Sequence, residues 1–408
     1  MKTALGYYLA ARQCEIGELE RLAATSGLVG MIGRFIHALQ RERGISNIFL
    51  ASQGERFATA RLEQVPQCEL LQSQVLASFE ALAGEAGNAR SGARLFNRIA
   101  VVLDGLKRLP QLREQIAAGA LAPHAAAEAF SRLIAGLLAV VFEAADGAAD
   151  PEISRELVAL FHFMQGKEFA GQERAHGAAA FATGHIDAPG QQLWRHLIEQ
   201  QHHCFRVFGE FAHSAVAAAE HARHDRALLV QIERMRRAGI SLTAMPADES
   251  RVDAWFECCT ERLDAMREIE DLLAGHLKQL CERKIDGART ALRNQQAALE
   301  GLQREAGAGR PGTAALMGPQ LERSVLDLVH QQSLRLQAMS DELETVRAAL
   351  GERKLIERAK GVLMAHRHLT EEEAYRSLRR MAMNQKRRVA EVAQVVIAMA
   401  DVLPARAR

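Results

Sequence analysis

Apolar residues recur at steps of three and four along nearly the whole chain, and no cluster of β-branched residues alternates with period two, so the pattern predicts an all-α protein. From Leu19 to about Leu302 it reads as some eight long amphipathic helices divided by short breakers. The breakers are Gly84-Glu85-Ala86-Gly87-Asn88, Leu121-Ala122-Pro123, the stretch from Asp146 to Pro151, Asp187-Ala188-Pro189-Gly190 and Met245-Pro246-Ala247-Asp248. Helices of this length and number predict two four-helix bundles. A weak internal echo, Gln40-Arg41-Glu42-Arg43-Gly44 against Gln172 to Gly177, is what a duplicated bundle would leave.

The pattern softens at Ala306 to Thr313, a linker by composition. Leu321, Val325 and Leu328, then Met339, Leu343, Val346 and Leu350, resume the steps of three and four with Gln332 on the seam. That spacing predicts a coiled-coil helix and a homodimer. Leu355, Ala359, Val362 and Leu363 extend this helix until His366 to Leu369 break it. Thr370 with Glu373 has capping-box spacing and starts a helix burying Ala374, Leu378 and Met381; a last helix buries Val389, Val392, Ala393, Val396 and Ile397. The expected organisation is a helical body over 20–302, a linker over 303–319, and a coiled coil leading into a three-helix module over 320–404.

Charge changes the picture at one end only. The 408 residues carry a formal net charge of +1, yet 352–392 hold eleven Lys or Arg against six Asp or Glu, a balance of 11 − 6 = +5. A basic module behind a neutral body points to a polyanionic partner for that module. The six cysteines are scattered without paired spacing, as in reduced cytoplasmic proteins, and neither a secretory leader nor an uncharged membrane-length run is read. Gly307-x-Gly309-x-x-Gly312 follows no strand and contains Pro311, so it is no dinucleotide loop. His202-His203 and the pair His221 and His224 lack converging ligands, so no metal is expected. No catalytic constellation is present, and the reading is of a non-enzyme without a cofactor.

Three arginines lie where apolar residues belong. Arg43 fills a position on the stripe of Ile36, Leu39, Ser46 and Leu50, and a guanidinium there needs either a structural carboxylate from a neighbouring helix or an anion from solution. Arg174 lies on a face of Ala170, Gly171, Gly177 and Ala178, small enough for close helix packing or for a pocket. The periodicity of Leu229, Ile232 and Ile240 turns Arg236 inward, with Arg234 able to reach the same space.

Gln40 to Ser46, Lys167 to Ala175, and the Trp255-Phe256 region with Thr260 and Arg262 resemble the nitrate- and nitrite-sensing domain called NIT, over most of 20–290. The resemblance implies two four-helix bundles with an arginine-lined oxyanion pocket between them. Arg43 and Arg174 would then contact nitrate or nitrite, joined by Arg234 or Arg236, and the Arg43 helix would respond to the ligand. Ala359-Lys360-Gly361-Val362-Leu363-Met364, Glu372-Glu373-Ala374-Tyr375, Leu378-Arg379, Ala382-Met383 and Val392-Ala393 resemble the ANTAR domain over about 340–402. That resemblance implies a three-helix fold, dimerised through its first helix, that binds paired stem-loops of leader RNA. Lys360, Tyr375, Arg379, Met383, Lys386, Arg387 and Arg388 are the expected RNA contacts, with Tyr375 either stacking on a base or buried in the core. Together the two imply a nitrate-responsive transcription antitermination regulator; the alternative is an RNA-binding regulator whose helical body is a protein scaffold without a small ligand.

Overall fold

The computed structural model describes residues 4–84, 93–223, 225–241, 249–308, 314–367, 369, 371–385 and 387–402. These form helices only: α1 (Ala4–Ala51), α2 (Ala58–Gly84), α3 (Ala93–Ala117), α4 (Pro123–Asp146), α5 (Pro151–Thr183), α6 (Ala188–Phe211), α7 (Ser214–Ala222), α8 (Arg226–Ile240), α9 (Glu249–Ala308), α10 (Ala314–Arg367), α11 (Glu371–Gln385) and α12 (Val389–Val402). The chain divides into two compact units, Met1–Arg335 and Leu336–Arg408.

The breakers stop helices for local reasons. Asp150, Asp187 and Asp225 cap α5, α6 and α8, each accepting from free backbone N–H groups of the first turn. Such a cap contributes about 1 kcal/mol. Pro123, Pro151 and Pro189 fall in the first turns of α4, α5 and α6, where a missing N–H costs nothing. The Met245 to Asp248 breaker lies outside the described residues. No breaker marks the turn from α1 to α2; it holds Gln53 (φ 53°), Gly54 (φ 90°) and Phe57 (φ 64°) in left-handed conformations.

In the first unit, α1 packs on α2 and α4, and α3 on α4, forming one bundle. A second forms from α5, α6, α8 and α9, with short α7 beside α9. The bundles meet where α1 lies on α9 and on α5, and α4 on α5. This explains the composition of α5, which is buried on nearly every side from Pro151 to Phe181. A helix buried on nearly every side belongs at the centre of a domain, and its polar residues there, Lys167, Glu168, Glu173 and Arg174 among them, take partners from neighbouring helices. By length and composition alone α1 and α4 would also pass as membrane spans, but half or more of each apolar window is buried inside the fold.

In the second unit a core of Ala359, Leu363, Ala374, Leu378, Ala382, Val392, Ala393 and Ile397 joins α10, α11 and α12. These are nearly the positions the periodicity selects. Thr370 and Lys386, and the side chains of Leu321, Val325, Leu328, Leu350 and Met383, lie outside the described residues.

Candidate functional site

Arg43 comes inward from α1 as its stripe requires and is 1% exposed. Its Nη1 donates to Glu168 Oε1 at 2.5 Å and to Ser131 Oγ at 2.7 Å, and its Nη2 to Glu168 Oε2 at 3.2 Å. The carboxylate from a neighbouring helix is therefore Glu168 of α5, itself 2% exposed. Gln40 Nε2 (2.8 Å) and Gln172 Nε2 (2.9 Å) complete four N–H bonds to it.

Arg174 comes from the other side of the same α1–α5 contact and is 4% exposed. Its donors meet only neutral groups: Nη1 reaches Thr260 Oγ1 at 2.9 Å, Nη2 the carbonyl of Gln40 at 3.0 Å, and the guanidinium covers the Phe256 ring at 4.7 Å. Among the described residues no carboxylate stands within 4.0 Å of it. Burial and, next, the Arg43 charge push its pKa down to about 10. His37, one turn before Arg41 on α1, feels the same field. Burial and then Lys167, Arg267, Arg174 and Arg41 drive its imidazole down to about 2, so it is neutral. Around this point Arg43 Nε, Gln40 Oε1 and Ser46 Oγ are buried without a hydrogen-bond partner.

Two glycines make the approach possible. A Cβ on Gly171 would stand 2.6 Å from Arg43 Nη2, and one on Gly44 would stand 2.6 Å from Arg174 Nη2. Each guanidinium thus fills the space a side chain on the opposite helix would need. Trp255 fixes the Arg174 backbone, its Nε1 donating to the Arg174 carbonyl at 3.0 Å. Outside Phe256 lies an open groove lined by Phe57, Phe256, Thr260, Glu257, Glu261 and Asp264. Phe57, strained at φ 64°, packs edge-on against Phe256 with centroids 5.8 Å apart.

Arg236 is also buried, but its fork is closed by Glu173: Nε donates to Oε1 at 2.7 Å and Nη2 to Oε2 at 2.6 Å. Trp194 Nε1 and Gln201 Nε2 bond the same carboxylate. Burial opposes ionisation of Glu173, yet the Arg236 hydrogen bonds and charge outweigh it and hold the carboxyl below its usual range. The first bundle repeats the arrangement, with Arg113 Nε and Nη2 donating to Glu42 at 2.8 and 2.9 Å. The internal echo thus takes a physical form. Glu42-Arg43 on α1 and Glu173-Arg174 on α5 each send the glutamate to an arginine in their own bundle and the arginine to the contact between bundles.

The structure brings Arg43 and Arg174 together, directs Arg236 to Glu173, and leaves Arg234 exposed. Sequence reasoning missed Glu168, Gln40 and His37. Only the unbalanced charge of Arg43 signals that a carboxylate is needed, and nothing local says which.

In the second unit Lys360 is buried, Tyr375 and Arg379 are half-buried, and Arg387 and Arg388 are exposed. Arg376 and Arg380, one turn apart on α11, are both exposed as well. Among the described residues no group of three or more His, Cys, Asp or Glu side chains is placed to hold a metal.

Comparison with known proteins agrees with both halves. The NIT family, described as nitrate and nitrite sensing, matches residues 34–278, and the ANTAR domain matches 344–397. The nitrate regulatory protein of Klebsiella oxytoca is 35% identical over 395 residues, covering 96% of this chain and 94% of that protein. The solved structure of the NasR transcription antiterminator superposes with a TM-score of 0.65 at 30% identity, over 98% of this chain and 99% of the other. The buried arginine pair between two helical bundles is therefore found in a chain that belongs to the nitrate- and nitrite-sensing NIT family and carries an ANTAR domain behind it.

Proposed function

We propose that nitrate or nitrite binds beside Arg174 and Arg43, where α1 meets α5, and that the basic module answers by binding leader RNA. The chain is a nitrate-responsive transcription antitermination regulator, not an enzyme. It acts in the cytoplasm as a homodimer, favouring an antiterminator stem-loop over a terminator upstream of nitrate-assimilation genes. The sensor spans 20–302 and the output module 320–404, with Lys360, Tyr375, Arg379, Met383, Lys386, Arg387 and Arg388 as RNA contacts; Arg236 and Arg234 are assigned to the sensor, Arg236 through Glu173.

One observation carries this reading. Arg174 is a buried guanidinium with neutral partners only, next to a second buried guanidinium. An isolated buried charge is costly, and a small planar oxyanion suits the arginine fork. Melting of the full chain in nitrate, nitrite and chloride tests it, since a ligand that binds only the folded form raises stability. A rise with nitrate or nitrite that disappears in Arg174→Ala is expected; no shift at millimolar concentrations of either would overturn the reading. Leader-RNA binding with and without nitrate tests the coupling.

A further inference from the structure

Among the described residues of the first unit, other fully buried cations have a carboxylate of their own, whereas half-buried Arg262 bonds the neutral Gln201. Arg113 is held by Glu42, Arg236 by Glu173 and Lys167 by Glu270. At the α1–α5 contact the balance differs: among the described residues two buried guanidinium groups, Arg43 and Arg174, stand with one buried carboxylate, Glu168, which bonds Arg43. Four N–H donors surround that carboxylate, which suits its ionised, acceptor-only form. Asp264 is the other acid whose charge reaches Arg174, and it is mostly exposed, so water screens it. The contact therefore keeps one unbalanced positive charge.

We propose that Glu168 is the specificity-determining residue of this site: by neutralising one of two buried guanidinium groups it leaves a single positive charge, which selects a monoanion and rejects a dianion such as sulfate. The inference rests on the anion-binding reading above. The incoming monoanion brings the buried charge to zero, whereas a dianion would leave a buried negative charge in excess. Glu168 keeps its place on Arg43, and the ligand is taken up chiefly by Arg174. Gln40 Oε1 and Ser46 Oγ, buried without hydrogen-bond partners on the same stretch of α1, provide polar contacts for water around the ion. Arg43 and Glu168 then matter through their sum rather than through separate contacts with the ligand.

The test is a set of charge-changing variants of the full chain, Glu168→Gln, Arg43→Met and the two combined, titrated with nitrate and with sulfate and read by melting temperature and calorimetry. Wild type responds to nitrate and not to sulfate. Arg43→Met, with charge zero, loses the nitrate response. The double variant, restored to a single positive charge, regains it. Glu168→Gln binds nitrate at least tenfold more tightly, and sulfate now competes. A folded double variant as unresponsive as Arg43→Met would overturn the proposal, because Arg43 would then act by direct contact; so would a folded Glu168→Gln variant with unchanged or weakened nitrate affinity. Should Glu168→Gln fail to fold, the double variant carries the test alone. A wild-type protein indifferent to nitrate and nitrite would refute the anion reading itself, a result distinct from either of these.

Discussion

Gly44 of α1 faces Arg174 of α5 so closely that a methyl group there would stand 2.6 Å from Nη2 and 3.1 Å from Cζ. Gly171 stands in the same relation to Arg43. Arg174, held only by neutral groups, can move aside from an added methyl, whereas Arg43 cannot do so without breaking its buried bonds to Glu168 and Ser131. Gly44→Ala is expected to change stability by less than about 1 kcal/mol, because the helical preference of Ala offsets the strain, whereas Gly171→Ala should destabilise by about 1–3 kcal/mol. Gly44→Ala, which displaces Arg174, is expected to lose the nitrate-dependent rise in melting temperature, as differential scanning fluorimetry would show.

Other glycines meet rigid partners. A Cβ on Gly177 would lie 2.5 Å from the Trp255 ring, and one on Gly239 only 2.2 Å from the Trp194 ring. Neither indole can swing away, because each is fully buried and donates a hydrogen bond, Trp255 to the Arg174 carbonyl and Trp194 to Glu173. Gly177→Ala and Gly239→Ala should each destabilise by about 1–3 kcal/mol in urea unfolding. Gly275, with open space around its Cβ, supplies the control: Gly275→Ala should stabilise by up to about 1 kcal/mol.

Removing Arg236 leaves Glu173 buried without its counterion, a change that costs about 3–5 kcal/mol. In wild type the depressed Glu173 pKa contributes stability that is present above the ordinary carboxylate range and is lost as pH falls through the lowered folded value. In Arg236→Met the same carboxyl is raised by burial and takes up a proton readily. The stability gap between variant and wild type should therefore narrow from pH 7 towards pH 4. A gap that is constant with pH would show that Arg236 acts by packing alone.

His37 reports first on burial and then on the positive charges around it, with the Asp264 carboxylate 3.8 Å from its Nε2. Its folded pKa of about 2 lies below the ordinary value of 6.5, so unfolded chains bind a proton that folded chains refuse. The contribution of His37 to stability is therefore complete above pH 6.5 and declines as pH falls below it. Proton NMR should find a neutral His37 ring at pH 5, and His37→Gln should flatten the acid side of the melting curve. A ring titrating near pH 6 would show that water and Asp264 offset the burial and the positive field together.

On α11, Arg376 and Arg380 are exposed, as are Arg387 and Arg388 beyond its end. Arg376→Ala with Arg380→Ala should weaken RNA binding across sequences and reduce the salt slope by ~0.7 for each phosphate that is no longer neutralised. Lys360→Ala, at a buried position, should act through the stability of the module as well. Filter binding at several salt concentrations, paired with melting curves, separates the two effects.

By itself the sequence determined the helices, the faces they bury and the module at the basic end. The reason is local: the three-and-four spacing, the capping Asp residues and the first-turn prolines act within one or two turns. The core of the second unit, from Ala359 through Leu378 to Ile397, coincides with the periodic positions. The same spacing showed that Arg43, Arg174 and Arg236 point inward, because an inward phase depends only on neighbours along one helix. Partners were decided by tertiary structure alone. Glu168 meets Arg43 across 125 residues, and Glu173 meets Arg236 across 63, through the packing of separate helices. Sequence could say that each buried guanidinium needed a negative charge; only the fold shows that Arg236 has its own, that Arg43 has Glu168, and that Arg174 meets none among the described residues.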